Sequence, residues 1–327
     1  MDRSPLVLIV VVNWNGVAQT LASVASLAEM NYQNWRVLLI DNGSTDGSLE
    51  VLKPLASEQI EVVGVGTNTG YTGGCNLGLQ RALEIGADYV WLLNSDATTE
   101  ANTLSSLVAL AESNERIGLV SPLIASPGTP PEVVIAGAIW DKKSAEHGDT
   151  HSIEVAQEWL RKYPHSAIVY GTAMLVPARV IRRIGLLDQA LFAYYEDVDY
   201  SIRSSEAGFR NVVDWSSRVL HDNKNMHKQP ETMKPHYWYY MTRNELRMLR
   251  IHFGPVRGLR RSWWSVAKFL RLRARCSGNP AASEAILVGL WHGWIHREGP
   301  YSISLRAPRA ITWFADTYER YAVSRST

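Results

Sequence analysis

Cysteine is rare in this 327-residue chain, which contains only Cys75 and Cys276. Two cysteines exclude a disulfide framework and any metal site built from cysteine alone, and they suit a reducing cytoplasm. An excess of charge is also lacking, because 33 lysines and arginines against 32 aspartates and glutamates leave a formal net charge of +1. A chain so close to neutral has no overall attraction for nucleic acid, so we do not expect that partner.

Long apolar runs are lacking too. The apolar stretches at residues 6–12 and 285–295 are both far too short to cross a bilayer. The first is also too short for the apolar core of a secretory signal followed by a cleavage site. We therefore expect a cytoplasmic protein that is either soluble or peripheral on the inner face of the cytoplasmic membrane. Hydrophobic residues make up 46% of the chain, which is enough to bury a sizeable core.

The first half of the chain alternates strand and helix patterns. Apolar, β-branched runs predict strands at 6–12, 35–40, 60–65 and 89–93, and a glycine-rich turn at 70–78 is predicted to lead into a helix. This order predicts a parallel sheet with helices on both faces, whose ligands bind at the carboxyl ends of the strands. Polar residues fall at those ends, namely Asn13, Asp41, Asn68 and 94–96.

The second half is less regular. Residues 142–150 are polar and predict a hairpin tip or a loop over the site. We place a domain boundary at 222–235, which gives a catalytic domain at 1–225 and a helical C-terminal extension at 226–327. Within the first domain, the donor half is predicted at about 1–125 and the acceptor half at about 126–225.

The predicted extension is basic and rich in tryptophan. No acid lies between Gly254 and Arg275, and half of the chain's 12 tryptophans follow residue 230. Arginines interleaved with Trp263 and Trp264 favour a helix lying on an anionic membrane surface. A helical cap that packs its tryptophans on the catalytic domain, or on a second subunit in a homodimer, explains the composition equally well.

Three groups of residues have the chemistry of a metal-dependent transferase. Asn94-Ser95-Asp96 follows a predicted buried strand, where a carboxylate can hold Mg²⁺ or Mn²⁺, although such residues also form ordinary turns. Glu196, Asp197 and Asp199 follow two tyrosines and open a helical pattern. Capping of a helix N-terminus accounts for one or two of these three acids. At least one of them is therefore available as a general base. His221, after a predicted strand, could join a carboxylate on Mn²⁺.

The glycines at 64–70 do not form a dinucleotide-binding motif. Their spacing is G-x-G-x-x-x-G, and they follow the third predicted strand rather than the first.

Together these segments resemble the inverting glycosyltransferases of family 2, in particular their rhamnosyltransferase-like branch. The resemblance covers about residues 5–250 and depends on an ordered series of motifs, of which the long block ending in EDVD is the most specific. The series reads VVNWNG (11–16), IDNGSTDGS (40–48), NTGYTGGCNLG (68–78), WLLNSD (91–96), GTAML (171–175), GLLDQALFAYYEDVDYSIRSSEAGF (185–209), VLH (219–221) and RNEL (243–246). The resemblance implies an α/β fold of GT-A type, which binds nucleotide-diphospho-sugars on a mostly parallel central sheet, here with a helical C-terminal extension.

The resemblance also implies roles for individual residues. Asp197 matches the catalytic base, and Glu196 would orient a sugar. Asp96 would bind the metal on the diphosphate, with His221 as a second ligand. The donor would be bound by Asn13, Asp41, Gly74, Asn76 and Asn94, with the Asp41 carboxylate on the base. Asn94 stands where the family's D-x-D motif has its first aspartate. Only one carboxylate of the motif, that of Asp96, therefore remains for the metal.

The implied reaction transfers a sugar from dTDP-rhamnose or a UDP-hexose to a hydroxyl of a saccharide or lipid-linked saccharide, as in polysaccharide biosynthesis. It would proceed with inversion, with Mn²⁺ or Mg²⁺ on the diphosphate and Asp197 as general base. Two alternatives share the fold or the chemistry. One is a non-catalytic protein that binds nucleotide sugars or carbohydrate, and the other is a sugar nucleotidyltransferase, which would release pyrophosphate.

Overall fold

The computed structural model describes residues 4–141, 146–221, 229 and 232–323. The chain divides into two compact units. The first unit comprises Met1–Gln189 and Glu196–Asn223, and the second comprises Ala190–Tyr195 and Lys224–Thr327. The boundary predicted at 222–235 falls largely outside the described residues, as do residues 142–145 of the predicted hairpin tip.

The first unit is an α/β structure, as expected from the sequence. Its strands are β1 (Val7–Asn13), β2 (Trp35–Asp41), β3 (Ile60–Gly64), β4 (Tyr89–Asn94), β5 (Ala97–Thr99), β6 (Ile117–Ser126), β7 (Glu132–Ile135), β8 (Gly137–Asp141), β9 (Glu146–Thr150), β10 (Ala167–Ile168), β11 (Ala173–Pro177) and β12 (Arg210–His221). Its helices are α1 (Val17–Leu27), α2 (Ser48–Leu52), α3 (Gly70–Glu84), α4 (Thr103–Glu112), α5 (Ile153–Lys162), α6 (Ala178–Ile184) and α7 (Glu196–Glu206).

Most strands belong to one sheet with the order β3-β2-β1-β4-β11-β6-β12-β5, in which β7 also pairs with β6. The four strands predicted from the first half of the sequence run parallel, and their carboxyl ends meet at one edge. Asn13 lies beside Asp41 on β2, Asp41 lies beside Gly64 on β3, and Asn94 pairs with Val12. The prediction that the polar strand ends lie together is therefore confirmed for Asn13, Asp41 and Asn94.

Helices cover both faces of this sheet, as predicted. Alternate residues of β1 point into two separate cores, because successive side chains of a strand face opposite sides. Val7, Ile9 and Val11 pack with α1 and α4, whereas Val10 and Val12 pack with α3 and α6. A continuous apolar run is thus what a strand buried on both sides requires.

The glycine-rich segment at 70–78 differs from the prediction, since it is not a turn but the first part of α3, which begins at Gly70. The reason is close packing of the helix on β1. A Cβ atom on Gly74 would lie 2.7 Å from a methyl carbon of Val12, and one on Gly78 would lie 2.4 Å from a methyl carbon of Val10. The glycines bring the helix against the strand near its carboxyl end, and this packing overrides their low helix propensity.

The middle of the chain completes the sheet. Strand β11 runs antiparallel to both β4 and β6, and β12 runs parallel to β6 and antiparallel to β5. Residues 146–150 of the segment predicted as a hairpin tip or a loop form strand β9, which pairs antiparallel with β8. These two strands join β10 in a separate three-stranded sheet with the order β10-β8-β9.

The second unit is helical, with α8 (Pro235–Arg275), α9 (Pro280–Trp294) and α10 (Arg309–Val323). Gly254 breaks the regular path of α8, since its φ of 72° and ψ of 174° are not helical. Apolar and aromatic residues from these helices form one core, including Tyr239, Leu246, Phe269, Ile286 and Ala315. Among the described residues, no helix is long and apolar enough to span a membrane.

Candidate active site

The ends of β1 and β2 form a buried polar cluster. Asn13 is fully buried, and its amide nitrogen donates to Asp41 Oδ2 at 2.8 Å and to Ser44 Oγ at 3.1 Å. The Thr20 hydroxyl donates to the amide oxygen of Asn13 at 2.8 Å, and the backbone N–H of Ser44 donates to Asp41 Oδ1 at 3.1 Å. The cluster therefore fixes both loops, and each Asp41 oxygen accepts a hydrogen bond within it.

The predicted metal ligands lie together although 125 positions separate them. Asp96 follows the end of β4, and His221 is the last residue of β12, where it pairs with Ala97. The imidazole Nε2 of His221 is 3.0 Å from Asp96 Oδ1. The His221 side chain is 11% exposed and that of Asp96 is 47% exposed, so the pair opens to solvent on the aspartate side.

The 3.0 Å separation is that of a hydrogen bond between the imidazole and the carboxylate. The same two groups are of the donor types that a divalent cation such as Mn²⁺ accepts. Among the described residues, no group of three or more His, Cys, Asp or Glu side chains is placed to hold a metal. A cation here would therefore need oxygens from a diphosphate and from water, which is how Mg²⁺ is commonly held. The assignment of Asp96 and His221 as metal ligands stays a prediction.

Asp197 is connected to the same strand end by a short path. Its Oδ2 accepts a hydrogen bond from the backbone N–H of Gly171 at 3.0 Å. The next residue, Thr172, accepts through its carbonyl oxygen from the backbone N–H of Asn94 at 2.9 Å. Two hydrogen bonds and one peptide unit thus link the predicted base to the Asn94-Ser95-Asp96 turn. The sequence did not identify Gly171 and Thr172 as this link.

The carboxyl of Asp197 lies in surroundings that suit a base. Burial raises its pKa, while hydrogen bonds from the N–H groups of Gly171 and Val198 and the nearby His147 oppose that rise. His147 lies on β9, within the polar segment that was predicted as a hairpin or a loop over the site. His147 thus contributes to the electrostatic environment of the predicted base.

Glu196 lies beside Asp197 at the start of α7 and is 7% exposed. A Cβ atom on Gly171 would be 3.5 Å from Glu196 Oε1, 3.6 Å from the Cβ of Asp197 and 3.7 Å from the Tyr71 ring. The Tyr71 hydroxyl donates to the carbonyl oxygen of Gly171 at 2.8 Å. Burial, Cys75 and the two acids raise the pKa of Tyr71 well above its ordinary value, so this hydroxyl keeps its proton and stays a donor. Tyr71 belongs to a motif quoted above, but nothing in the sequence alone predicts a role for it.

The third acid of the cluster is structural. Asp199 is 1% exposed and accepts from Arg203 Nε at 2.7 Å. The remaining nitrogens of Arg203 donate to the carbonyl oxygens of Ile184 and Leu186, both at 2.9 Å. Asp199 therefore fixes the chain between α6 and α7.

Two residues expected at the donor have a clear packing or bonding role. The Asn76 side chain donates to the carbonyl oxygen of Leu187 at 3.0 Å and accepts from its N–H at 2.9 Å. Gly74 lets α3 approach Val12, next to Asn13. Both residues shape the region around the strand ends, and direct contact of either with a donor stays a prediction.

The residues just before Glu196 have an unusual backbone. Phe192, Tyr194 and Tyr195 all have positive φ angles, of 65°, 67° and 71°. Residues other than glycine seldom adopt this conformation, and it persists where surrounding contacts enforce it. The Ala190–Tyr195 segment belongs to the second unit, and it leads directly into the acid pair.

Two buried side chains of α8 hold this segment. Asn244 Nδ2 is 2.9 Å from the carbonyl oxygen of Leu191 and 2.8 Å from those of Ala193 and Tyr194. Arg243 donates to the carbonyl oxygens of Ala190 and Leu191 at 3.0 and 2.7 Å. The motif RNEL was part of the resemblance, but the sequence alone gave no role to Arg243 or Asn244. Their partners lie about 50 positions away, so spacing offered no signal.

Comparison with known proteins confirms the GT-A type fold expected from the sequence. The family model "Glycosyl transferase family 2" matches residues 7–184. The N-acetylglucosaminyl-diphospho-decaprenol L-rhamnosyltransferase of Mycobacterium tuberculosis is 26% identical over 223 residues, which cover 61% of this chain and 70% of that protein.

Solved structures show the same fold. GalNAc-T7, crystallised with UDP, GalNAc and Mn²⁺, superposes with a TM-score of 0.58 at 17% identity, covering 76% of this chain and 48% of that one. This chain thus matches about half the length of GalNAc-T7. The mannosyltransferase PcManGT from Pyrobaculum calidifontis, in complex with GDP-Man and Mn²⁺, gives a TM-score of 0.54 at 15% identity, covering 98% of this chain and 81% of that one.

Proposed function

The chain belongs to glycosyltransferase family 2, and we propose that it is an inverting enzyme that uses a nucleoside diphosphate sugar, either dTDP-rhamnose or a UDP-hexose. The acceptor is a hydroxyl of a saccharide or of a lipid-linked saccharide. One observation carries the proposal. The carboxyl of Asp197 is linked through Gly171 and Thr172 to the strand end that bears Asp96, and Asp96 meets His221 at 3.0 Å.

The donor lies along the carboxyl ends of β1, β2 and β4. Asp41, which accepts hydrogen bonds from Asn13 and Ser44, also accepts the N3–H of uracil or thymine. Asn94 faces the ribose or the sugar. This arrangement follows the general rule that ligands of open α/β sheets bind outside the carboxyl ends of the strands.

Chemistry then requires a base and stabilisation of the leaving group. Asp197 takes the proton from the acceptor hydroxyl while that oxygen attacks the anomeric carbon from the face opposite the nucleotide, so the configuration inverts in one displacement. Glu196 orients the sugar. Asp96 and His221 would hold Mn²⁺ or Mg²⁺, and the cation would supply positive charge against the negative charge of the leaving nucleoside diphosphate.

A lipid-linked acceptor is supported by the surface of α8. Between Val256 and Arg275, the exposed residues include Val256 (80% exposed), Trp264 (76%) and Trp263 (54%), whereas Ser262 and Ser265 are buried. A helix whose outer face contacts only water exposes polar residues and buries apolar ones, which is the opposite of the arrangement here. The same region contains arginines and no acid, and this combination is typical of helices at anionic membrane surfaces. We therefore place the enzyme on the inner face of the cytoplasmic membrane.

The acceptor named for the M. tuberculosis relative is consistent with this location, since it is a diphospho-decaprenol carrying N-acetylglucosamine. That name describes the relative, and for this chain we propose the broader class of lipid-linked saccharides.

The function is tested by screening nucleotide sugars for thermal stabilisation, with and without Mn²⁺, and then assaying the ligand that binds. A true donor stabilises the folded enzyme by mass action. We expect one donor to raise the melting temperature in a Mn²⁺-dependent way and to be turned over to a nucleoside diphosphate, with an inverted anomeric centre seen by NMR. Binding without turnover would favour a non-catalytic protein, and release of pyrophosphate would favour a nucleotidyltransferase.

A further inference from the structure

A surface pocket in the second unit is lined mainly by basic side chains. Arg243, Arg247 and Arg250 line one side from successive turns of α8, and His296 and Arg297 line the other from the segment after α9. The pocket is shallow and open to solvent. Arg243 also belongs to the RNEL motif and bonds the segment before α7, whereas Arg247, Arg250, His296 and Arg297 have no part in the resemblance or in the proposed active site.

The charges in this pocket are not balanced by its lining. Glu298 is the only acid that lines it among the described residues, and it is 3.3 Å from Arg247 with its side chain 60% exposed. Four arginines against one glutamate leave three positive charges. Like charges three or four positions apart on a helix repel one another. Arg243 is bonded to the carbonyl oxygens of Ala190, Leu191 and Gly299, which are neutral partners that do not cancel its charge.

Both histidines in the pocket respond to these charges. Burial, with Arg297 and Arg243 nearby, lowers the pKa of His292 to about 4. Burial, Arg250 and Arg247 lower the pKa of His296. His296 also has a φ of 62°, a conformation that is unusual outside glycine and is concentrated at functional sites. The folded unit thus keeps a positive cluster that an anion would stabilise.

The position of the pocket indicates where the anion comes from. Arg250 is hydrogen-bonded to the His296 ring, and it donates to the carbonyl oxygen of Trp294 at 3.5 Å. Trp294 is 40% exposed. The Trp294 ring packs edge-on against Trp263, with 5.8 Å between ring centroids, and Trp263 belongs to the exposed aromatic surface of α8. The basic pocket therefore adjoins the surface that we assign to the membrane.

We propose that this pocket binds the diphosphate of a lipid-linked acceptor, an inference that rests on the proposed function. Arginine guanidinium groups bind phosphoryl oxygens through paired, charge-assisted hydrogen bonds. Several arginines around one opening match a diphosphate, which carries more charge than a carboxylate. With the diphosphate held here, the lipid would lie along the aromatic surface.

The first test uses inorganic pyrophosphate as the probe, in EDTA and at low salt, with isothermal titration of the full chain. The variant Arg247→Gln/Arg250→Gln should bind at least about tenfold more weakly, because charge-assisted hydrogen bonds are lost. Glu298→Gln should bind more tightly, since it removes the one competing carboxylate. The matched control Arg257→Gln/Arg260→Gln removes two charges from the exposed surface of the same helix and should bind like the wild type. Equal binding by all four proteins, or no binding by the wild type, would overturn the proposal.

The second test separates the acceptor diphosphate from a lipid headgroup. In a transfer assay, Arg247→Gln/Arg250→Gln should raise KM for a diphosphate-linked lipid acceptor and leave KM unchanged for a water-soluble saccharide acceptor. Its sedimentation with phosphatidylglycerol vesicles should match that of the wild type. Selective loss of vesicle binding with an unchanged lipid-acceptor KM would assign the pocket to a headgroup and contradict the proposal.

Donor binding serves as an independent reference. The pocket variants should keep Mn²⁺-dependent stabilisation by the donor, because Asp96 and His221 are unaltered. If pyrophosphate binds the pocket but no donor is ever turned over, the proposed function fails while the anion site stands. If turnover is normal and pyrophosphate binding is insensitive to the arginines, the anion site fails while the function stands.

Discussion

Asp197 has two properties that a general base needs. Its carboxylate is held in one orientation, because each oxygen accepts a backbone N–H, from Gly171 at 3.0 Å and from Val198 at 2.8 Å. Its proton affinity is increased by burial. The neighbouring Asp199 instead forms a close ion pair with Arg203. Residues two positions apart on one helix thus differ in role because their partners differ.

Replacement of Asp197 by Asn should abolish base catalysis and keep donor binding. We expect kcat to fall by about 10²–10⁴, the usual contribution of a general base. The Kd for the donor, measured by titration with Mn²⁺ present, should stay within about twofold. Glu206→Gln, which removes a carboxylate from the far end of α7, serves as the control for charge and should be nearly as active as the wild type. Near-normal turnover by Asp197→Asn would exclude Asp197 as the base.

The pH dependence of the rate should report the same carboxyl. Burial raises the pKa of Asp197 above the ordinary 3.8, so the base is protonated, and inactive, up to a higher pH than an exposed aspartate would be. The acid limb of kcat/KM should therefore have its midpoint above pH 3.8. Because His147 lowers this pKa, His147→Gln should move the midpoint further upward. A midpoint at or below the ordinary value, or one that His147→Gln does not move, would contradict this assignment.

Among the structural elements, the segment before α7 leads directly into the acid pair and has an unusual backbone. Three of its residues hold left-handed backbone angles, each of which costs about 1–3 kcal/mol unless surrounding contacts compensate. Asn244 and Arg243 supply those contacts from α8, and both are buried. Tyr195 is fixed as well, since its hydroxyl donates to Glu245 at 2.8 Å. We expect these bonds to set the backbone direction in which the chain enters Glu196.

Asn244→Asp tests this element with almost no change of shape. The aspartate keeps an acceptor for Arg243, which now donates to Asn244 Oδ1 at 2.9 Å, but it loses the donors that face three carbonyl oxygens. We expect a loss of about 2–5 kcal/mol in the free energy of unfolding, measured in urea, because buried acceptors lose their partners. In conditions where the variant stays folded, kcat should fall while donor Kd is retained.

Asn279→Asp provides the matched control in the same unit. Asn279 caps α9 by accepting from the N–H of Ala282, and an aspartate can accept that bond equally well. Its stability and kcat should therefore be close to those of the wild type. If Asn244→Asp behaves like this control, the segment does not depend on Asn244.

At the scale of the whole chain, the sequence predicted features that arise from local pattern. Apolar runs located the parallel strands, and the polar residues that end three of them meet at one edge of the sheet. The predicted extent of α3 was wrong, because the glycine pattern at 70–78 predicts a turn. These glycines lie in the helix and let it approach methyl groups of β1 that lie some 60 positions earlier in the chain. The link through Gly171 and Thr172 and the bonds from Arg243 and Asn244 could not be read from spacing, since each joins residues distant in sequence.

The membrane surface proposed for the second unit predicts a measurable property of the intact protein. It should sediment with phosphatidylglycerol vesicles at low salt and dissociate as salt is raised, since the arginine contribution is screened. Trp263→Ser/Trp264→Ser should weaken binding about tenfold or more, because both rings are exposed. Val51→Ser/Val155→Ser, which alters exposed apolar residues of the first unit, should bind normally. Failure of the wild type to bind at low salt would remove the membrane assignment.

The central claim is that Asp96 and His221 hold one cation in the donor site served by Asp197. Crystals grown with Mn²⁺ and the nucleoside diphosphate of the true donor would show the metal by anomalous diffraction. We predict one Mn²⁺ peak within about 2.5 Å of both the Asp96 carboxylate and His221 Nε2, with diphosphate oxygens completing its coordination. A Mn²⁺ peak away from this pair, or a diphosphate bound elsewhere on the sheet, would contradict the claim.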